Sequence, residues 1–368
     1  MYLSLRDLLF ARGRFALVAG AVALVTLLLV LLTGLTEGLG RQNTSGLERL
    51  EAARIVLDAP ADGSGEASFT DSALTAEQTR TWARTAGAPA VERLGAAQTR
   101  AEAGGSAAAV AVLALEEDTG LAPGLRALEG RPRPGPGQAV LSATVAEDLG
   151  VGPGDTVRLS SAALRVASVT EDVHHSHLPV VWAAVADLPA IAHLGGDAAA
   201  TALALPAAGD PPDAQATAAA DAAAGTVTTD TRGAFAALPA YASERGSLLT
   251  MQGFLYGISA LVVVSFLTVW TLQRTRDVAV LRALGASRGY LLRDALAQAA
   301  AVLVLGALAG ALAGGLTGLA AGTAVPFATG PATVLLPALG VVVLGGAGAL
   351  LATRRVSSVD PLLALGGN

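Results

Sequence analysis

The sequence predicts a membrane protein: four transmembrane α-helices in a 1 + 3 arrangement, with an extracellular α+β domain inserted between the first and the second. Three observations predict it. Four apolar stretches, Phe15–Leu35, Leu248–Leu272, Ala295–Ala320 and Val334–Ala352, each come close to the ~20 residues that span a ~30 Å hydrocarbon core. Arginines flank these stretches on one side only. Arg6, Arg12 and Arg14 precede the first, Arg274, Arg276, Arg282, Arg288 and Arg293 lie between the second and third, and Arg354 and Arg355 follow the fourth. The positive-inside rule therefore places both termini and the 273–294 segment in the cytoplasm, in a plasma membrane. The long stretch 36–247 is the remaining observation: it mixes strand-like and helix-like patterns and falls outside.

Taken in order, Met1–Arg14 reads as a short amphipathic cytoplasmic helix. Leu3, Leu5, Leu8, Leu9 and Phe10 lie in the interface, and Arg6, Asp7, Arg12 and Arg14 stay wet. Transmembrane helix 1 (15–35) is read as a retained anchor, because its apolar region is too long for a signal peptide and Thr36–Gly40 makes no convincing small-x-small cleavage pattern. Gly20 within it, and Gly34, Gly38 and Gly40 at its outer end, are spaced for close helix approach. In the outer domain (36–247), Ala53–Ala59 and Ala108–Leu115 read as strands. Thr75–Ala86 reads as a helix with Thr75 as its cap and Glu77 in its first turn. Gly130–Gly137 is a Gly/Pro loop. Then come a helix at Ala143–Leu149, a turn at Gly150–Asp155 and strands at Thr156–Ser160 and Ala163–Val169. Asp197–Ala224 is rich in Ala, Asp and Pro, with a loop at Gly209–Asp213, and its low complexity leaves the element boundaries open. Transmembrane helix 2 (248–272), a cytoplasmic segment (273–294), helix 3 (295–320), an outer turn with Pro326 and Pro331, helix 4 (334–352) and a cytoplasmic tail (353–368) complete the chain. Helix 3 carries Gly306, Gly310, Gly314, Gly315 and Gly318, a pattern for tight packing.

Composition narrows the function. Hydrophobic residues make up 52% and charged residues 15%, with mean hydropathy +0.55, which suits an integral membrane protein. The net charge of -6 hides a split: residues 38–246 hold 25 of the 30 acidic groups and 14 of the 24 basic ones. The outer domain is acidic and the basic surface is confined to a short cytoplasmic loop, which argues against nucleic-acid binding. Cysteine is absent, which excludes thiol catalysis, iron–sulfur clusters and Cys-based zinc sites. Every basic group is arginine, so the chain has no Gly-x-x-x-x-Gly-Lys-Ser/Thr loop and no ATP site of that kind. The spans carry no charges that a channel or proton-driven carrier would use, which points to energy supplied from elsewhere.

The cytoplasmic passage Arg274-Thr-Arg-Asp-Val-Ala-Val-Leu-Arg-Ala-Leu-Gly-Ala-Ser287 resembles the coupling segment of FtsX/MacB-type ABC permeases. So do the ending Val359-Asp-Pro-Leu-Leu-Ala-Leu365 and the phrase Gly150-Val-Gly-Pro-Gly-Asp-Thr-Val157. A narrower resemblance, to the heme-exporting HrtB-type permeases of Gram-positive bacteria, rests on Gly34-Leu-Thr-Glu-Gly-Leu-Gly-Arg-Gln-Asn43, Ser176-His-Leu-Pro-Val-Val181, Leu238-Pro-Ala-Tyr241 and the terminal Leu365-Gly-Gly-Asn368. The resemblance implies a MacB-like external domain and a homodimer of the permease, with heme taken from membrane lipid as transported substrate. It also implies a separate cytoplasmic HrtA-type ATPase that supplies ATP hydrolysis, making this chain a non-catalytic subunit. That ATPase would dock on Arg276, Asp277, Arg282, Gly285 and Arg288, in a passage that by itself also reads as a positively charged loop setting topology. The same scaffold also serves export of a peptide, lipid or antibiotic, or regulation of a cell-wall hydrolase.

Four regions are candidates for contact with substrate. His174-His175-Ser176-His177 holds three of the four histidines. On residue type it serves as an axial heme ligand, a zinc or copper site, or a solvated loop. His175 occupies a position where the family can have Tyr, and His177 matches the family motif. Tyr241, just before helix 2, is either an iron ligand as phenolate or an interfacial anchor. Glu37 and Arg41, one helical turn apart beyond helix 1, form either a surface pair or an iron ligand with a propionate partner. Met251 and Tyr256 either line the same cleft or pack in the helix core.

Overall fold

The computed structural model describes residues 12–60, 67–87, 91–125, 127–130, 133–208, 210–273, 285–322 and 324–357. In chain order the elements are α1 (Arg12–Arg49), β1 (Ala52–Asp58), β2 (Leu74–Thr75), α2 (Ala76–Ala86), β3 (Glu92–Ala103), β4 (Ser106–Leu115), β5 (Ala127–Gly130) and β6 (Gln138–Ser142). Next are α3 (Ala143–Leu149), β7 (Thr156–Leu159), β8 (Ala162–Thr170), β9 (His174–His175), β10 (Leu178–Ala184), α4 (Leu188–Ala192), β11 (Ala198–Ala200) and β12 (Ala202–Pro206). The chain then forms α5 (Ala214–Ala224), β13 (Thr226–Thr229), α6 (Thr231–Ala234), α7 (Pro239–Gln273), α8 (Arg288–Ala321) and α9 (Pro331–Ser357). Two units emerge: Gly40–Arg245, and the segments on either side of it.

In the membrane unit, four helices among the described residues are long and apolar enough to cross a bilayer: Phe15–Arg49, Pro239–Phe266, Arg293–Ala321 and Pro331–Leu351. Their shared core holds Phe15, Val22, Leu29, Val263, Leu303 and Val341. Leu17, Phe254, Leu312 and Leu351 stay two-thirds or more exposed, as lipid-facing side chains must. The glycines of α8 explain the packing. A Cβ on Gly310 would overlap the Ala23 carbonyl of α1, one on Gly306 would lie 2.8 Å from the Ala19 carbonyl oxygen, and one on Gly314 2.9 Å from Val30 Cβ. Three glycines at four-residue spacing thus bring α8 onto the backbone of α1. At the outer end of α1, Gly34 and Gly38 admit Phe327 and Pro326 of the α8–α9 connection, and Ala328 N donates to Gly34 O at 3.0 Å. Gly20 has open space around it among the described residues. Tyr256 packs against Gly340, within 2.8 Å of where a Cβ would sit, which favours the core-packing reading of that tyrosine; Met251 is exposed.

The helices outrun the apolar stretches that announced them. The helix α1 continues to Arg49, α7 starts at Pro239 rather than Leu248, and α8 starts at Arg288. Ser287 caps α8, accepting from Tyr290 N at 3.2 Å. Pro331 opens α9 rather than closing a turn, since the first helical turn tolerates a missing N–H.

The outer unit is built on one mixed sheet in the order β13-β1-β12-β3-β4-β10-β6-β8-β5. Strand β7 pairs with both β8 and β3, closing the run from β3 to β8 into a ring. Alternation along β4 and β10 sorts their side chains between two cores. Val112 and Ala114 of β4 and Val181 and Ala183 of β10 face one, together with Val145, Leu164 and Leu188. Ala111, Leu113, Val180 and Trp182 face the other, which also takes Leu47 and Leu50 from the end of α1. Helix α2 has the expected cap: Gln78 N donates to Thr75 Oγ1 at 3.1 Å, and Thr75 N donates back to Gln78 Oε1 at 2.9 Å, a full capping box. Helix α3 has the bounds the sequence predicts, and Gly150 ends it with φ 65°.

The glycine seam yields a paired expectation. Replacing Gly310 with Val should destabilise the detergent-solubilised protein by about 1–3 kcal/mol, the range for overpacking. Gly20→Ala, in open space, should be neutral or slightly stabilising, and thermal unfolding of both variants reads the difference.

Candidate functional site

The histidine cluster forms the tip of a hairpin. His175 of β9 pairs with Leu178 of β10 across the two-residue turn Ser176–His177. Both turn residues have positive φ, 51° and 67°, as a type I′ turn requires. Neither is the glycine or asparagine that such a turn favours, so the conformation is held from outside. Ser176 N donates to Asn43 O at 3.1 Å and His177 N to Gln42 O at 3.0 Å. Ser45 Oγ donates to His174 O at 3.2 Å and accepts from His174 N at 3.0 Å. Gly46 makes the contact possible, because a Cβ there would lie 3.0 Å from His174 O. The hairpin therefore lies directly on α1.

At the tip, three side chains meet. His177 Nε2 lies 2.9 and 3.0 Å from the two carboxylate oxygens of Glu244, on α7. Asn43 Nδ2 lies 2.9 Å from the same nitrogen and donates to Glu244 Oε2 at 3.2 Å. A proton on Nε2 directs it to the carboxylate, and the Asn43 amide then serves the second oxygen. Tyr241 precedes Glu244 by almost one turn of α7. Its half-buried ring stands edge-on to Phe235, with centroids 5.7 Å apart, and the Arg245 guanidinium lies 5.7 Å from its centroid. A Cβ on Gly40 of α1 would sit 3.8 Å from the ring.

None of the three clustered histidines is a freely solvated ring. His175 is 4% exposed, with its ring edge-on to Phe69 at 5.7 Å. Burial lowers its pKa to about 4, so the imidazole is neutral at physiological pH. Its Nδ1 has no hydrogen-bond partner among the described residues. The ring lines a cavity of about 460 Å³ that Phe69, Gln98, Ser160 and His193 also line. The pKa of His174 is lowered too, chiefly by burial, with Asp172 opposing and His177 adding to the shift. Among the described residues, no three His, Cys, Asp or Glu side chains are placed to hold a bare metal ion.

Glu37 and Arg41 are both exposed on α1, Glu37 in the membrane unit and Arg41 in the outer unit. Arg276, Asp277 and Arg282 lie outside the described residues. Gly285 has φ 95°, a conformation glycine adopts without strain, and Arg288 is the first residue of α8. Asn43, Phe69, Phe235 and Glu244 are absent from the sequence-based candidates. Asn43 closes one of the motifs quoted above, which was the available signal, but no pattern marks Glu244, 67 residues from His177.

Comparison with known proteins fixes the family. Residues 15–223 match the MacB-like periplasmic core domain and residues 250–361 the FtsX-like permease C-terminal domain. The chain belongs to the FtsX/MacB permease family. Such permeases are the membrane components of ABC transporters. Over 130 residues this permease is 28% identical to a Staphylococcus haemolyticus protein named as a hemin transport system permease protein, HrtB. It is 24% identical over 130 residues to a Staphylococcus epidermidis protein of the same name. Each match spans 35% of this chain and 37% of the relative. Among solved structures, the periplasmic region of MacB from Actinobacillus actinomycetemcomitans aligns with a TM-score of 0.37 at 12% identity, covering 50% of this chain and 92% of that one. The extracellular domain of the transporter YknZ from Gram-positive bacteria aligns at 0.34 and 14% identity, covering 46% and 89%.

The buried imidazole carries a pH signature. With a folded pKa near 4 against 6.5 in the unfolded chain, the unfolded state binds the proton first as pH falls. Stability should therefore be level above pH 6.5 and decline between pH 6.5 and 4, by up to about 3 kcal/mol at roughly 1.4 kcal/mol per pH unit. Thermal melts of the permease across that window should show the slope, and His175→Phe should remove most of it.

Proposed function

We propose that this permease is the membrane subunit of an efflux pump that expels heme from the bilayer, working as a homodimer with a separate HrtA-type ATPase. The observation that carries the reading is the similarity to the two staphylococcal proteins named as hemin transport permeases. The chemistry around Tyr241 supports it. Heme is a flat apolar plate with an iron centre and two carboxylates, and it partitions into lipid by its faces. A half-exposed phenol can ligate ferric iron as phenolate, and a nearby guanidinium offers a bidentate partner to a propionate. Tyr241 with Arg245 over its ring, and Arg41 following Gly40 on α1, supply those groups. Glu37, exposed on α1, is an alternative oxygen ligand. His175 is neutral, as ligation requires, but only 4% exposed, which makes it less accessible than Tyr241. Tyr241 is therefore the first choice of ligand and His175 the second.

In this reading the termini and the 274–293 segment face the cytoplasm and the Gly40–Arg245 unit faces outward. The ATPase docks on Arg276, Asp277, Arg282, Gly285 and Arg288. ATP-driven closure of the cytoplasmic ends collapses the outer cleft and releases heme to the outside. The pump needs no hydrophilic channel, because its cargo enters from lipid.

Two measurements test this. Heme titration of the purified permease in detergent, followed at the Soret band, should saturate, and Tyr241→Ala should weaken binding and change the spectrum more than Glu37→Ala or His175→Ala. Nonspecific partitioning that is the same in all variants would leave a permease with a different cargo, such as a peptide, lipid or antibiotic. Changing Arg282 or Gly285 should abolish heme efflux from cells while leaving the titration unchanged; loss of binding in those variants would contradict the separation of motor and substrate regions.

A further inference from the structure

Glu244 occupies a place that neither the family motifs nor the ligand chemistry assigns. Its carboxylate receives the His177 ring at 2.9 and 3.0 Å and the Asn43 amide at 3.2 Å. Each partner belongs to a different element. Asn43 sits on α1 beside Arg41, His177 sits in the β9–β10 turn beside His175, and Glu244 shares α7 with Tyr241. The side chains of His177 and Glu244 are 29% and 39% exposed, too wet for the pair to contribute much to stability. Two of the three elements are already joined without it. The hairpin is fixed to α1 by Ser176 N, His177 N and Ser45 Oγ, and by the close approach at Gly46. What the carboxylate adds is the registry of α7 against that pair. Tyr241 lies on the adjoining turn of the same helix, and ring contacts with Phe235 and Arg245 restrain the plane of its ring without a hydrogen bond among those described.

We propose that Glu244 is a positioning residue. Held by Asn43 and His177, it sets the rotation and height of the first turns of α7, up to Arg245, so that the Tyr241 phenol faces the ligand in a fixed relation to Arg41 and the histidine hairpin. The proposal rests on the heme reading given above for its ligand, but its geometry stands apart from that reading. Glu244 touches no ligand itself. A merely structural role would change stability and leave the ligand field of the iron alone, whereas a positioning role changes the iron's spectrum through Tyr241.

The test uses the full-length permease in detergent with hemin as the probe. Glu244→Ala should weaken binding by about tenfold, in the range for removing a group that orients a ligand. It should also shift the Soret band toward that of Tyr241→Phe. Glu244→Gln keeps an acceptor for Asn43 and should fall between wild type and Glu244→Ala. The double variant Glu244→Ala/Tyr241→Phe should bind no more weakly than Tyr241→Phe alone, because Glu244 acts through the phenol. Unchanged binding in Glu244→Ala, or additive losses in the double variant, would overturn the proposal. Hydrogen exchange without hemin gives an independent reading. In Glu244→Ala, protection should fall in 239–246 and remain in 174–178, which α1 holds separately. Unchanged exchange in 239–246 would also overturn it. If Glu244→Ala shows the exchange response but the wild-type protein shows no saturable hemin binding, the heme reading fails while the registry role of Glu244 stands.

Discussion

The arrangement of the outer unit depends on a strained turn accepted by a helix. Ser176 and His177 both occupy the left-handed region, which costs a non-glycine residue about 1 kcal/mol or more and persists only where surroundings over-determine it. Here the surroundings are the carbonyls of Gln42 and Asn43, which already lie within a helix and use their second lone pairs. That arrangement needs α1 to remain helical well past the apolar stretch, and it does so to Arg49. Leu47 and Leu50, fully buried in the largest of the outer unit's cores, anchor its end. A membrane helix that ended where its hydrophobicity ends would leave the hairpin with nothing to lie on.

The same economy appears in the membrane unit. Without a hydrophobic drive between helices in lipid, association depends on close van der Waals fit and on backbone approach. Gly306, Gly310 and Gly314 supply it along α1, and Gly34 and Gly38 supply it for the connection that carries Pro326 and Phe327. Thr26 and Thr33 satisfy their hydroxyls on Val22 O and Leu29 O of their own helix, so neither leaves an unpaired group at depth. Near the start of α8, Asp294 accepts from Gln298 at 2.9 Å.

What the sequence made legible follows from the range over which each signal acts. Thr75 and Gln78 are three residues apart, and the cap they form is local, so Thr75–Ala86 could be read from the chain with the start of its helix displaced by a single residue. The same holds for Ala143–Leu149, bounded by Ser142 and Gly150. Helix ends stay hidden wherever hydropathy is the only guide. Hydropathy reports where lipid lies, while backbone hydrogen bonding decides where a helix stops, and nothing between Leu35 and Arg49 or between Pro239 and Leu248 breaks the ladder. The glycines of α8 were legible as a stripe, but Gly20 shares the residue type and, among the described residues, not the close contact, because only the neighbour's position distinguishes them.

The candidate site shows the limit more sharply. His175 and Tyr241 were visible because their residue types are rare in this chain and chemically pointed. Burial then divided them in a way no motif announces: one ring is enclosed against Phe69, while the other remains half-exposed between Phe235 and Arg245. Asn43 and Glu244 stand 201 residues apart, and both are ordinary polar residues on helices. Their meeting at His177 exists only once α1, the hairpin and α7 have been assembled. A carboxylate that receives an imidazole and an amide from two other elements constrains more than it stabilises, since its partly exposed contacts are each weak but jointly admit a single registry. Its effect is felt in where Tyr241 points, which is a geometric property of the fold and has no counterpart in the order of the residues.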